Sequence, residues 1–182
     1  MLKLMIISSS IRQGRMSNRV ALYFKNYLKE EYQINAGIID LQEMNLPLLQ
    51  ERLKFLDNPP PALVTISQKI KNADGVLIIT PEYNGGYPAA LKNMMDGLRE
   101  EWYRKPVAIA SVSSGSFAAS QVLTSLGFSL WKLKALLVPS FFQVAKVQDS
   151  FREDGSPVNK TRTDKNAASI IKELVWLATI TK

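Results

Sequence analysis

"VLIITPEYNGGYPAALKNMMDG", residues 76–97, decides how the chain is folded. An apolar run from Val76 to Ile79 stops at Pro81. A helical pattern then starts near Pro88, with Leu91, Met94, Met95 and Leu98 on one face. A short continuous apolar run bounded by turn residues reads as a strand buried on both faces. Strand, short connection and amphipathic helix make half of a βαβ unit. The connection itself is unusual, because it packs Glu82, Tyr83, Asn84, Gly85, Gly86, Tyr87 and Pro88 together. Glycines let the backbone approach a flat ligand closely, and tyrosines offer apolar faces with polar tips. A plain tight turn explains Gly85, Gly86 and Pro88 but gives no reason for Glu82-Tyr83-Asn84.

The same alternation extends in both directions. Apolar runs at 2–8, 34–40, 75–80, 106–113 and 134–147 read as strands, the last broken near Pro139. Helical spacing predicts helices over 17–31, 62–71, 88–100, 117–132 and 162–180, with a long proline-ended connection at 41–61. Five strands alternating with five helices argue for an α/β fold with a doubly wound parallel sheet. No repeat, low-complexity tract or linker interrupts it, so one domain over 1–182 is expected.

Composition narrows the chemistry. The 182 residues contain no cysteine and no histidine. That removes disulfides, thiol nucleophiles, thiolate metal sites and the usual general base. For an enzyme with this composition, a bound cofactor is the expected carrier of the difficult chemistry. Apolar runs fall far short of the roughly 20 residues that cross a bilayer. The amino-terminal run contains Lys3 and no small-residue cleavage pattern, so a cytoplasmic protein without a membrane partner is expected. The net charge is +7, which suits an anionic ligand. Nucleic acid is not expected, because the aromatics are not interleaved with the basic clusters and no recognition motif is present.

In a sheet of order 2-1-3-4-5, ligands bind past the carboxyl ends of the first and third strands, where the order reverses. The loops there are 9–18 and 81–88. The first reads "SSIRQGRMSN" and offers hydroxyls at Ser8, Ser9, Ser10 and Ser17, the guanidinium groups of Arg12 and Arg15, and a helix amino end. Such a set can cradle a monophosphate; the plainer alternative makes Ser17 an N-cap and leaves the arginines in water. Neither GxxxxGK nor GxGxxG occurs, which argues against a triphosphate P-loop or a Rossmann dinucleotide site. Asp40 reads as a helix or turn cap, Met94 and Met95 as core, and Asp96 as a helix-surface residue.

These residues carry a family resemblance. "PEYNGGYPAALKNMMD" resembles the P-E-Y-N-x-x-x-P-x-x-L-K-N-x-x-D signature of the NADPH-dependent FMN reductase family, which has the flavodoxin-like fold. "SSIRQGR" resembles that family's phosphate loop, and Ser113 to Ser116 more loosely its third loop. The resemblance implies FMN as cofactor, NADPH or NADH as hydride donor, and a small-molecule acceptor such as free flavin, a quinone, an azo dye or a metal oxyanion. By resemblance, Ser10, Arg12, Ser17 and Asn18 hold the FMN phosphate. Pro81, Glu82, Tyr83, Asn84 and Gly85 line the isoalloxazine ring, and Ser114 and Gly115 close its far edge. Ser9 stands where the family has glycine. A positive φ there would strain the loop, whereas any other φ lets its hydroxyl join the phosphate contacts. The family implies homodimers, sometimes homotetramers, with the helix after "PEYN" at the interface. The competing reading is a flavodoxin-type electron carrier without a nicotinamide site. Carriers of this fold are usually acidic, so the basic charge favours the reductase.

Overall fold

The computed structural model describes residues 2–182. Strands β1 (Leu4–Ser8), β2 (Gly37–Asp40), β3 (Gly75–Pro81), β4 (Pro106–Val112) and β5 (Leu136–Val144) form one sheet in the order β2-β1-β3-β4-β5. Each neighbouring pair runs parallel, as the alternating pattern predicts. The helices are α1 (Ser17–Tyr32), the single turn α2 (Leu41–Met44), α3 (Pro61–Lys71), α4 (Ala89–Gly97), α5 (Ser120–Lys132), the single turn α6 (Val147–Ser150) and α7 (Lys160–Ile180). Among the described residues, no helix is long and apolar enough to cross a membrane.

The two-residue period of the strands sorts the core into two layers. Ile6, Leu77, Ile79, Ala108, Ala110 and Phe142 pack under Val20, Phe24 and Leu28 of α1 and Ile170, Ile171 and Leu174 of α7. The alternate residues Ile7, Val76, Ile78, Val107 and Ile109 pack under Leu63, Ile66 and Ile70 of α3, Leu91 and Met94 of α4, and Leu126 and Leu130 of α5. Helices therefore cover both faces, which is why the strands read as continuous apolar runs.

Several boundaries differ from the periodicity. α4 ends at Gly97 and a 3-10 turn follows at Glu100–Trp102, although Leu98 continues the apolar pattern. A Cβ on Gly97 would lie 2.3 Å from Leu49 Cδ1, so the helix ends where the 41–61 connection crosses closely over it. α5 starts at Ser120 because Ala118 and Ala119 are left-handed, with φ of 53° and 55°. The Ala118 carbonyl turns to accept the Ser111 hydroxyl at 2.7 Å. β5 is one irregular strand, as its pattern broken near Pro139 predicts. Its pairing with β4 slips between Val107 and Ile109, opposite Pro139, which has no N–H and is tolerated on an edge strand. The 41–61 connection contains α2 and a 3-10 turn at Leu53–Phe55.

Candidate active site

Between β1 and β3 the chain order reverses, and the loops leaving these strands diverge. A cleft of about 160 Å³ opens there, lined by Ser10, Arg12, Ser17, Pro81, Tyr83 and Ser114 among others.

The loop after β1 is built around a buried clamp. The Arg15 guanidinium makes a two-pronged ion pair with the Asp40 carboxylate at the end of β2, and it also donates to the Ser10 carbonyl at 2.7 Å. The two side chains are only 10% and 7% exposed. Charges at that burial need each other in place of water. Asp40 caps α2 as well, accepting the Gln42 N–H at 3.0 Å. Arg15 thus shapes the loop instead of standing free in water or for a phosphate.

Arg12 is placed differently. Its guanidinium carbon lies 3.5 Å from the centroid of the Tyr83 ring, and the Tyr83 hydroxyl shares a 2.7 Å hydrogen bond with Ser10 Oγ. Ser10, Arg12 and Tyr83 therefore tie the two loops together across the cleft.

The amino end of α1 is left open. Met16, not Ser17, holds the N-cap position, no side chain caps it, and the first turn contains no acidic residue. The positive end of a 16-residue helix thus borders the cleft without compensation. Ser9 Oγ and Ser17 Oγ are both buried without a hydrogen-bond partner among the described residues. A buried hydroxyl left unsatisfied costs about 1–3 kcal/mol, so this loop calls for an external acceptor. Of the two hydroxyls Ser17 lines the cleft, and it fits a phosphate monoester together with the uncapped N–H groups and the Arg12 guanidinium. Ser9 is not among the residues with positive φ, so serine at this position is unstrained.

After β3, the opening motif forms a small hairpin. Tyr83 and Gly86 exchange both backbone hydrogen bonds, at 2.8 and 3.1 Å. Asn84 and Gly85 between them have φ of 53° and 79°, as a type I′ turn of Asn-Gly requires. The Glu82 carboxylate accepts the N–H groups of Gln121 at 2.9 Å and Val122 at 3.1 Å, capping α5. One of its carboxylate oxygens, Oε2, is thereby committed to α5. Tyr87 shares a 2.8 Å hydrogen bond with Ser129 of α5. The stiffness of the motif thus comes from one tight turn and two anchors on α5.

The model of the NADPH-dependent FMN reductase family matches residues 2–149. The chain belongs to that family. It is 32% identical over 123 residues to an NAD(P)H-dependent FMN reductase of Saccharomyces cerevisiae, covering 60% of this chain and 64% of that protein. The match thus spans slightly less than two thirds of the yeast protein's length. An NADPH azoreductase of Bacillus sp. (strain OY1-2) is 31% identical over 163 residues, 86% of each chain. The flavoenzyme NAD(P)H:(acceptor) oxidoreductase of Paracoccus denitrificans superposes with a TM-score of 0.79 over 98% of both chains. At 20% identity, that is a likeness of fold.

In this FMN reductase family member, the other residues that the sequence assigns to a cofactor flank the cleft without lining it. Asn18 Oδ1 accepts the Ser8 hydroxyl at 3.2 Å, binding α1 to the end of β1. Gly115 donates its N–H to Ser113 Oγ at 2.9 Å and accepts the Lys146 N–H at 3.0 Å. Asn84 and Gly85 form the hairpin tip, and Ser9 is fully buried where the loop leaves β1. Gln13, Met16, Val112, Ser113 and Val147 also line the cleft, and the sequence did not single them out as ligand contacts. Val147 opens α6 directly beyond β5. Applying the strand-end rule to β5 as well as to β1 and β3 finds it.

Proposed function

We propose that this chain is an FMN-dependent NAD(P)H oxidoreductase, with residues 1–182 acting as one flavodoxin-like FMN-binding domain. The observation that carries the reading is the orphan hydroxyl of Ser17, which lines the cleft beside the uncapped amino end of α1. The FMN phosphate would give the Ser17 hydroxyl an acceptor and give α1 and Arg12 an anion. Ser10 and Asn18 complete the phosphate end. Pro81, Tyr83, Asn84, Gly85 and the Glu82 backbone supply the edge and face for the ring, with Ser114 and Gly115 on its far side. Bound FMN supplies a hydride acceptor with an electron outlet, taking reducing equivalents from NADPH or NADH to free flavin, a quinone or an azo compound. The chain's own work is binding and orientation. No side-chain acid is assigned, because Glu82 is occupied on α5 and Asp96 pairs with Lys92 on the surface of α4.

We infer further that the protein is a cytoplasmic homodimer. α5 exposes Phe128 and Trp131, 62% and 65% accessible with rings 5.8 Å apart. A paired aromatic face on α5 suits a second copy of the chain. Light scattering should report a dimer.

The decisive experiment loads the protein with FMN, removes oxygen, adds NADPH or NADH and follows flavin absorbance. Bleaching far faster than that of free FMN is expected. Bound flavin that stays yellow with both nucleotides would instead make the protein a carrier.

A further inference from the structure

The helices α3, α4 and α5 end at Lys71, Gly97 and Lys132, and the chain turns back there into β3, β4 and β5. This amino-terminal edge of the sheet lies opposite the flavin cleft. It contains a concavity of about 630 Å³, within the range of small-molecule sites. Arg52, Lys54, Lys71, Arg99, Lys132 and Lys134 line it against two carboxylates, Glu100 and Glu101.

Half of these cations have ordinary employment. Lys54 pairs with Glu100 at 3.5 Å, and Lys71 pairs with Glu101 at 3.3 Å. Lys71 and Lys132 close α3 and α5, where a cation offsets the carbonyl end of the helix dipole. Arg52, Arg99 and Lys134 have no such role, since none lies in a closing helix turn and none has an ion pair among the described residues. Two of the three are arginines, whose planar forks suit phosphate oxygens. The walls add flat apolar surface. Tyr103 and Phe55 are 51% and 61% exposed, and Lys134 Nζ sits 5.5 Å from the Tyr103 centroid.

The geometry points to a second ligand site here, for a small polyanion bearing a flat ring, of the nucleoside polyphosphate class. Arg52, Arg99 and Lys134 take the phosphates, and the ring lies against Tyr103. A concave site with a few concentrated cations selects such a molecule over an extended acidic surface. The site does not depend on the flavin reading, because it shares no lining residue with the flavin cleft.

ATP serves as the probe, titrated calorimetrically at physiological salt into protein saturated with FMN, and again into flavin-free protein. One saturable ATP per chain is expected in both. The double variant Arg52→Ala/Arg99→Ala should weaken it roughly tenfold for each guanidinium lost, with FMN affinity unchanged as proof of folding. Tyr103→Ala should weaken ATP roughly fivefold and leave inorganic tripolyphosphate unaffected. Absent or non-stoichiometric binding, or full affinity in the double variant, overturns the site. Tripolyphosphate binding as tightly as ATP overturns the ring contact. ATP affinity that falls in Arg12→Ala and not in the double variant places the nucleotide in the flavin cleft and overturns the proposal too.

Discussion

The Arg12 guanidinium carbon lies 3.5 Å from the centroid of the Tyr83 ring, close enough for a cation–π contact across two loops that start on different strands. The contact holds a mobile cation at the mouth of the cleft and leaves its N–H groups, which lie in the guanidinium plane, available to an anion. Arg12→Ala should therefore weaken FMN roughly 10- to 100-fold, the worth of one or two charge-assisted hydrogen bonds. Riboflavin lacks the phosphate and should lose little. Titration of both flavins by fluorescence quenching makes the test, and equal losses for the two would place the phosphate elsewhere.

Ser17 allows a test in which two readouts move in opposite directions. Its hydroxyl is buried and unpartnered at the start of α1, so removing it relieves a desolvation cost of about 1–3 kcal/mol. Ser17→Ala should raise the melting temperature of the flavin-free protein and lower its FMN affinity roughly tenfold. A hydroxyl that merely supported the loop would lower stability when removed and leave the phosphate discrimination intact.

The Arg15–Asp40 pair is the strongest structural element of the site. Removing one partner strands a buried charge, at a cost of about 3–5 kcal/mol. Arg15→Met and Asp40→Leu should each destabilise by that order in urea unfolding. The double variant should be far milder than the two combined, because neither charge remains. Additive losses would mean that the pair contributes no coupling.

These arginines also mark what the sequence could express. Strand order was legible because every strand is covered on both faces, which leaves unbroken apolar runs such as Val76–Ile79. The place of the cleft was legible because the reversal of strand order leaves the loops after β1 and β3 diverging there. Which of Arg12 and Arg15 stays uncommitted was not legible. It depends on Asp40, brought alongside the end of β1 only when Ser8 pairs with Asp40 in the sheet. Glu82 is similar, since its partners at Gln121 and Val122 are reached through tertiary packing. The start of α5 was hidden because Ala118 and Ala119 give no local sign of a left-handed backbone. The end of α4 was hidden because Gly97 is required by Leu49, a residue of another element.

Glu101 gives the fold a definite response to acid. Burial opposes its charge, but the Ser67 hydroxyl at 2.6 Å, the Arg99 N–H at 3.1 Å and Lys71 hold its pKa below the ordinary value of 4.5. The unfolded chain therefore takes up this proton before the folded chain does. The stability that Glu101 contributes is complete above the ordinary carboxylate value, declines as pH falls through it, and is lost below the folded pKa. Glu101→Gln should be less stable than the parent at pH 7, and the two urea unfolding midpoints should converge as pH falls below 4.5. A gap that stays constant over this window would show that folding leaves the Glu101 pKa unshifted, so that Ser67, Arg99 and Lys71 do not favour its charged form.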